Sequence, residues 1–401
     1  MASTKGARWV VGDIFEATVE KIAHGGHFIV RHEGAVFFVR HAIAGEKCRV
    51  FVTSTGSSFN RADVVEVLVP SHDRVVAPCE YAHRDGCGGC DFQHISMARQ
   101  RALKAEVICE QFARIAKMDV SVTVEEAGSA LHWRTRSNAT TNSTGELGFL
   151  ASRSHRVVPV KECIICVEHM NIPELATRSW KGSVRVEVAT SSMGERSIAL
   201  APTQGEDRAR LTEGNQILHE IVAGKTLEVS HGSFWQSHVD APTVLTDAVL
   251  EYAQIKNGEH VLDLYGGVGL FTAVMVDLVG VDGSIDLIEG SKSATSDANR
   301  NFASNANVRI ITGDVAKHLL RIKSADVVIL DPPREGAGKV AVHEISRLKP
   351  RAIVYVACDP AALARDTAYF SASRYTLDKI RAFDLFPMTH HVECVALFLP
   401  A

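Results

Sequence analysis

The sequence is short of the features that would assign it to several broad classes of protein. Its 401 residues include no apolar run of about 18, and the stretch from Met1 to Val10 is polar, so we expect neither a membrane span nor a secretory leader. A basic excess is also missing, because the formal net charge is −4 and the pI is near 6.5. That balance excludes a histone-like protein and still allows a local face for nucleic acid. Without repeats or low-complexity segments, the chain is expected to form two or three domains in the cytoplasm.

Nine cysteines in such a chain argue against a disulfide framework and suggest other uses for some of the thiols. Cys79, Cys87 and Cys90 lie close together among glycines, which leave backbone N–H groups free to approach sulfur. A fourth thiolate would have to come from Cys163 or Cys166. Three clustered ligands and one distant ligand favour a [4Fe–4S] cluster over zinc, whose ribbons bring two close pairs, while free thiols are a third alternative. The radical-SAM spacing C-x3-C-x2-C is absent, so no radical chemistry is expected.

A glycine-rich turn in the last third of the chain indicates a cofactor site. Val261 to Tyr265 reads as a strand that runs into this turn, and Ile285 to Glu289 reads as a second strand that ends in an acid. An acid at that place can accept hydrogen bonds from ribose hydroxyls. The pattern is Asp-x-x-x-Gly-x-Gly rather than Gly-x-Gly-x-x-Gly, which suits S-adenosylmethionine (SAM) better than a dinucleotide. The candidate ligands in this region are Asp263, Tyr265, Gly267, Gly269 and Glu289.

Two short polar motifs follow later apolar runs. The run 327–330 precedes Asp331-Pro332-Pro333-Arg334, and the run 353–356 precedes Ala357-Cys358-Asp359-Pro360. Apolar runs of this kind make buried parallel strands, and open α/β sheets do their chemistry just past the carboxyl ends of those strands. A reactive thiol is therefore predicted beside the cofactor crevice.

The first two thirds of the chain show a different pattern. Short alternating segments predict a small β-barrel of five strands up to about residue 70, and antiparallel structure with helical inserts, such as 214–222, is expected from 120 to 229. Between them, 96–118 has the apolar spacing of an amphipathic helix that Ser96 could cap. The predicted barrel strands are Ile14 to Ile22, His27 to Val30, Ala35 to Val39, Lys47 to Val52 and Ala62 to Val69.

Taken together, these motifs resemble the RNA uracil-C5 methyltransferases, in particular the ribosomal-RNA branch that carries a TRAM barrel and an iron–sulfur cluster. The resemblance covers essentially the whole chain. It implies an α/β fold, with a Rossmann-like SAM-dependent methyltransferase domain at 233–401. An OB-like TRAM barrel at 1–70 would help to hold RNA, and a central, mainly β domain at 71–232 would hold the cluster, with the helix 96–118 free to pack on the catalytic domain.

The resemblance also implies roles for individual residues. Cys358 would attack uracil C6, Glu393 in His391-Val392-Glu393 would act as the general base, and Asp331 would orient the uracil ring and contribute to the cofactor site. Gln236 in Phe234-Trp235-Gln236 would reach SAM, and Asp314 would lie near the adenine. The implied cluster ligands are Cys79, Cys87, Cys90 and Cys163, the last preferred over Cys166 because of its context Val160-Lys161-Glu162.

This chain departs from the family in a few places, one of them Asp359, where the family often has asparagine. The longer gap between the first two clustered cysteines bears on the assignment of Cys79. Segments 133–136 and 153–156 are candidate RNA contacts. The expected product is 5-methyluridine in ribosomal RNA, made by a monomer that binds neither DNA nor a membrane. The alternatives are a tRNA uracil-C5 methyltransferase and a non-catalytic RNA-binding protein.

Overall fold

The N-terminal strands form a six-stranded sheet in a computed structural model that describes residues 9–203 and 209–401. Inward residues of all six strands share one core, as in an OB-like barrel. The first predicted strand divides in two because its amide hydrogen bonds change partner: Val19 donates to Glu46, and Glu20 donates to Ile29. The spatial order is β1-β5-β6-β4-β3-β2. The strands are β1 (Ile14–Thr18), β2 (Lys21–Ala23), β3 (His27–His32), β4 (Ala35–Arg40), β5 (Lys47–Ser54) and β6 (Asn60–Val69).

A long helix, α1 (Met97–Gln111), follows the barrel and ends in a wider turn, Phe112–Ala116. The prediction that the Ser96 side chain caps this helix is wrong, because its hydroxyl donates to Asp73 (3.2 Å) instead. The helix packs on two regions, because Leu103 lies in the barrel core, whereas Ile108 and Phe112 lie in a core of the C-terminal sheet.

The central region is mainly antiparallel, as predicted. Its larger sheet has the order β10-β9-β8-β11-β12-β13, and a separate hairpin pairs β14 with β15. The helical insert predicted at 214–222 is instead the first strand of that hairpin, since its alternating burial pattern suits a strand. The elements, after β7 (Val124–Glu126), are β8 (Arg136–Thr141), β9 (Leu147–Leu150), β10 (Val157–Pro159), α2 (Ile172–Thr177), β11 (Val184–Thr190), β12 (Arg196–Pro202), β13 (Arg210–Glu213), β14 (Ile217–Val222) and β15 (Lys225–Ser230).

The catalytic region is an eight-stranded sheet with the order β18-β17-β16-β19-β20-β22-β21-β7. Strands β16 to β20 are parallel, β22 is antiparallel, and the early strand β7 completes the edge by pairing with β21. The elements are α3 (Ala241–Ala253), β16 (His260–Leu264), α4 (Leu270–Val279), β17 (Ser284–Glu289), α5 (Lys292–Asn301), β18 (Val308–Thr312), α6 (Val315–Leu319), β19 (Val327–Leu330), α7 (Gly338–Arg347), β20 (Ala352–Ala357), α8 (Pro360–Ala372), β21 (Tyr375–Asp384) and β22 (Glu393–Pro400).

Each face of this sheet has its own apolar core, which explains why the parallel strands read as continuous apolar runs. Val261 lies in one core, while Leu262 and Leu264 lie in the other. Within 9–203 and 209–401, no helix has the length and apolar character needed to cross a membrane. The carboxyl ends of β16, β19 and β20 lie side by side at one edge of the sheet, where β22 begins.

Candidate active site

Three of the predicted catalytic residues meet at this carboxyl edge. Asp331 directly follows β19, and Cys358 directly follows the neighbouring strand β20. Strand β22 runs antiparallel to β20 with Ala357 opposite Cys394, so the next position in that register brings Glu393 opposite Cys358. The fold therefore brings together a thiol and two carboxyl groups, of which Asp331 and Glu393 are 62 residues apart in the sequence.

The electrostatics of this group favour neutral forms. Glu393 is 4% exposed, and burial together with the nearby Asp331 holds its pKa well above the usual range. Burial, Glu393 and Asp331 raise the pKa of Cys358 to about 12. Burial and Asp263 raise the pKa of Asp331 to about 7. The cluster therefore favours the thiol over the thiolate until positive charge or a proton acceptor arrives.

A cavity adjoins this group of residues on the side of the glycine-rich turn. Gln236 and Asp331 line it, and the Gln236 amide donates to the Asp331 carboxylate (3.3 Å). Residues of the glycine-rich turn, with two aromatic side chains from the loop after β15, form the rest of the wall. They are Phe234, Trp235, Tyr265, Gly266, Gly267, Val268, Leu270 and Phe271.

The shape of the glycine-rich turn depends on its glycines. The amide of Gly267 donates to the Glu289 carboxylate (3.1 Å), which joins the ends of β16 and β17. Gly269 has φ +100°, and a Cβ there would lie 2.2 Å from the ring of Phe302. The positive φ and the contact with Phe302 explain why only glycine fits at Gly269. The second Glu289 oxygen accepts from the amide of Ser291 (2.6 Å).

Carboxyl groups lie at the wall of this cavity and directly behind it. Asp331 lines the wall, and Asp263 lies behind Gly266. Asp263 is fully buried, and Thr272 donates to one of its oxygens through both the amide (3.0 Å) and the hydroxyl (2.6 Å). Its other oxygen has no hydrogen-bond partner among the described residues, and burial raises the pKa of Asp263 to about 6. Glu289 accepts from the amide of Gly267, which is part of the wall. These are the groups that would hold the ammonium, sulfonium and ribose of SAM.

Asp314 is predicted to lie near the adenine, and the structure gives its carboxylate a local partner. It caps α6 by accepting from the amide of Lys317 (2.9 Å). The neighbouring Gly313 amide donates to the carbonyl of Glu289 (2.8 Å), so the residue does stand at the correct end of the sheet. Its role toward the cofactor remains a prediction.

The four predicted cluster cysteines line a single cavity between the loop 79–93 and the central region. They are Cys79, Cys87, Cys90 and Cys163. The backbone supports this arrangement, since the Gly89 amide donates to the Cys87 sulfur (3.3 Å) and the Cys79 amide donates to Gln93 (3.0 Å). Cys166 lies outside the cavity in an apolar core, and a hydrogen bond from its thiol lowers the pKa of Cys163 to about 6.

In the part of the chain that the structure describes, no three His, Cys, Asp or Glu side chains converge closely enough to hold one metal. The four cysteines line the wall of one cavity. Four thiolates are the donor set of a [4Fe–4S] cluster and also of a structural zinc ion.

Comparison with known proteins agrees with this geometry. Residues 318–400 match the family model for tRNA (Uracil-5-)-methyltransferase, and 224–320 match that for protein-L-isoaspartate(D-aspartate) O-methyltransferase. An uncharacterized RNA methyltransferase of Streptomyces coelicolor is 40% identical over 98% of this chain and 94% of its own. A 23S rRNA (uracil(1939)-C(5))-methyltransferase of a Shewanella species is 29% identical over 95% and 94%.

The chain belongs to the tRNA/rRNA uracil-5-methyltransferase family. Among solved structures, the Pyrococcus abyssi tRNA (uracil-54, C5)-methyltransferase in complex with S-adenosyl-L-homocysteine has a TM-score of 0.73 at 20% identity, covering 96% of this chain and 99% of that one. That likeness shows the fold, and the predicted α/β architecture with an OB-like N-terminal domain is confirmed. This methyltransferase therefore uses SAM and acts on RNA.

Some predicted RNA contacts on the central domain are not surface residues. Trp133 is fully buried, and the Arg136 side chain is 15% exposed and lies 3.6 Å from Glu220. The Trp133 ring is inside the domain, and the Arg136 guanidinium faces the buried Glu220, so neither residue suits an RNA-binding face. Arg153 and Arg156 are exposed, as that role requires.

A cavity at the mouth of the site is lined by Arg334 and His391, which belong to the sequence motifs, in addition to Cys358. His24 and Lys104 also line it, and the motifs miss both. Burial lowers the pKa of His391 to about 3, so the neutral ring accepts from the Arg334 guanidinium (3.3 Å). His24 and Lys104 come from the barrel and α1, and no local pattern marks them as neighbours of the thiol.

Proposed function

We propose that this methyltransferase converts uracil to 5-methyluracil in ribosomal RNA, with Cys358 as nucleophile and Glu393 as general base. The observation that carries the proposal is the register of β20 and β22, which places Cys358, directly after β20, across from Glu393 at the start of β22, while Asp331 lines the SAM cavity. A thiol and a carboxylate are the two groups that C5 methylation of uracil needs. The relative that acts on 23S rRNA supports the choice of RNA.

The first step is the formation of a bond between the Cys358 sulfur and uracil C6. This addition makes C5 nucleophilic, and SAM supplies the methyl group that C5 takes up. Because the pKa of Cys358 is raised to about 12 in the free site, the thiol is protonated there and must pass its proton to solvent as the substrate arrives, which leaves the thiolate to add to C6 and Glu393 to take the C5 proton later. Asp331, with its own pKa raised to about 7, is placed to orient the uracil edge by hydrogen bonding.

The second step restores the aromatic base. Glu393 takes the proton from C5, the electrons of the C5–H bond re-form the C5–C6 double bond, and the Cys358 sulfur leaves C6. A buried carboxyl whose pKa is well above the usual range is a stronger base, once ionised, than an exposed glutamate. The uracil must be turned out of its stack to reach these groups, which is least costly in a single-stranded loop.

The carboxylates of the SAM cavity predict a pH-dependent affinity. Asp263 and Asp331, with pKa values of about 6 and about 7, are neutral in acid and become charged as the pH rises. Since a bound cation favours the charged forms, the Kd for SAM should fall by about tenfold or more between pH 5.5 and pH 7.5 and then level off. Calorimetric titration at a series of pH values measures this.

Two comparisons sharpen this measurement. S-adenosylhomocysteine keeps the ammonium and lacks the sulfonium charge, so its affinity should change less with pH. In Asp331→Asn the dependence should be reduced, because one titrating group is gone. A Kd for SAM that is constant from pH 5.5 to 7.5 would contradict the assignment of these carboxylates to the cation.

The cysteine cavity is proposed to hold a [4Fe–4S] cluster through Cys79, Cys87, Cys90 and Cys163. Such a cluster would brace the loop from Pro78 to Phe92 against the central sheet. This loop also holds the catalytic region, because the amides of Asp91 and Phe92 both donate to the carbonyl of Met388 (3.0 Å each). The proposed cluster is therefore a structural centre next to the segment that leads to Glu393.

The neighbouring pair Cys163 and Cys166 provides a matched test of this centre. In protein purified without oxygen, Cys163→Ser should lose bound iron and sulfide and the visible charge-transfer absorption, whereas Cys166→Ser should keep them. The measurements are elemental analysis for iron and zinc and an absorption spectrum. Zinc in place of iron, or loss of iron only in Cys166→Ser, would overturn the ligand set.

The proposed reaction is tested by nucleoside mass spectrometry. Unmodified ribosomal RNA and unmodified tRNA are incubated separately with the anaerobically purified protein and with SAM that carries an isotopically labelled methyl group. Labelled 5-methyluridine in ribosomal RNA is the expected result. The same nucleoside only in tRNA would keep the reaction and replace the substrate. No labelled 5-methyluridine in either RNA, from protein that retains its iron, would refute the proposed function and favour a binding role.

A further inference from the structure

The cavity at the mouth of the active site is built from widely separated parts of the chain. Its free volume is about 150 Å³. The barrel turn between β2 and β3, residues 24–26, forms one side. Cys358 and Asp359 lie beside this turn, and Phe92, α1, Arg334 and residues 390–392 complete the wall. The barrel turn and the thiol therefore share one cavity.

One side chain of the turn bonds directly to the loop that carries the thiol. Nε2 of His24 lies 3.0 Å from Oδ2 of Asp359, which is the residue next to Cys358. The other carboxylate oxygen accepts from the amide of Ala362 (2.8 Å) and so caps α8. The two oxygens thus divide their bonds between the barrel and the helix. Because Asp359 is adjacent to Cys358, its orientation helps to set the direction of the thiol.

The turn is also fitted closely against a second part of the active site. Gly26 has φ +77°, and a Cβ at that position would lie 2.7 Å from the Cβ of His390. Nδ1 of His390 in turn donates to Asp91 (2.6 Å), in the loop of the clustered cysteines. The barrel turn therefore meets the catalytic region at two places on the wall of the cavity, His24 with Asp359 and Gly26 with His390.

We propose that the barrel is part of the active site, and that His24 is a positioning residue that holds the Cys358 loop in place through Asp359. The inference rests on the proposed function and goes beyond it. A barrel that only holds RNA would influence affinity, whereas this contact influences the chemical step. The turn also forms a wall against which the target nucleotide is placed.

The test uses four variants of the full chain, in which methyl transfer in a single turnover and the Kd for RNA are measured separately. His24→Ala removes the donor, and His24→Gln keeps an N–H near the position of Nε2. Asp359→Ser keeps a capping oxygen for α8 and is too short to reach His24. The fourth variant combines His24→Ala with Asp359→Ser. His72, in the exposed linker, provides the control His72→Ala.

We expect His24→Ala to slow the single turnover by about 10- to 100-fold while the Kd for RNA changes by about twofold or less. His24→Gln should recover most of the rate, and the double variant should be no slower than the slower single variant, because both changes break one contact. His72→Ala should behave as the native protein. Equal rates in His24→Ala and native protein, a change in Kd alone, or effects that multiply in the double variant would each overturn the inference.

A second readout does not depend on turnover. Hydrogen exchange at the amides of 357–363, measured without RNA, should be faster in His24→Ala and native-like in His24→Gln and His72→Ala. Unchanged exchange in His24→Ala would count against the contact even if no RNA were methylated. Failure of the proposed function would appear separately, as native protein that makes no 5-methyluridine.

Discussion

Cys358→Ala is expected to abolish methyl transfer, with a loss of turnover on the order of 10⁴-fold or more. Without the sulfur, no bond to C6 can form, and C5 of uracil is too weak a nucleophile to take a methyl group unaided. Cys358 is only partly buried and follows β20 directly, so its removal leaves the sheet and both cores unchanged. Single-turnover transfer of labelled methyl groups to RNA measures the effect.

The matched control is Cys394→Ala, which removes the thiol opposite Ala357 on the adjoining strand. Cys394 is completely buried in an apolar core, so this variant should lose some stability and keep its turnover. The Kd values for SAM and RNA should be close to native in Cys358→Ala. Turnover in that variant within about tenfold of native would exclude covalent catalysis by this residue.

Glu393→Gln is expected to stop the reaction after methyl transfer. The amide keeps the shape of the side chain and cannot take the C5 proton, so the sulfur cannot leave C6. A covalent complex of protein and methylated RNA should therefore accumulate, and release of product should slow by about 10²- to 10⁴-fold. Denaturing electrophoresis detects the complex, and peptide mass spectrometry locates the adduct on Cys358.

Glu220→Gln is a suitable control for this variant. Glu220 is also 4% exposed, and burial raises its pKa too, but it lies on β14 in the central region. It should form no lasting adduct. If Glu393→Gln released product at the native rate, another group would have to be the base. If it formed no adduct and no product, Glu393 would act earlier, in deprotonation of Cys358.

The sequence was sufficient to predict the groups that follow strand ends. Asp331, Cys358 and Glu289 each end an apolar run, and a parallel sheet brings such ends to one edge regardless of the distance between them in sequence. The glycine-rich turn could also be predicted from the sequence, because a tight turn requires glycine, and in the structure the conformation of Gly269 leaves no room for a side chain. Local signals of this kind determine most of the catalytic sheet.

Contacts between distant segments could not be predicted in the same way. His24 and Asp359 are 335 residues apart, and nothing in the barrel's alternating pattern marks one of its turns as a partner of the thiol loop. The strand Val124–Glu126 is too short for a periodic signal, and its place beside β21 depends on tertiary packing. The helix predicted at 214–222 is wrong because a short apolar segment is compatible with either period, and the residues 217–222 form the strand β14.

The early edge strand β7 has a consequence for how the protein is made. Glu125 pairs with Arg381 across 256 residues, and Lys104 donates to the buried Asp384 across 280. On the ribosome, α1 and β7 are synthesised long before the strand that will receive them, so the catalytic sheet cannot be completed until the last residues emerge. Contacts of such separation favour slow folding, and a chain cut short before β21 leaves Lys104 without its carboxylate. Translation errors near the carboxyl terminus should therefore yield protein that fails to fold, rather than RNA binders that compete with the enzyme.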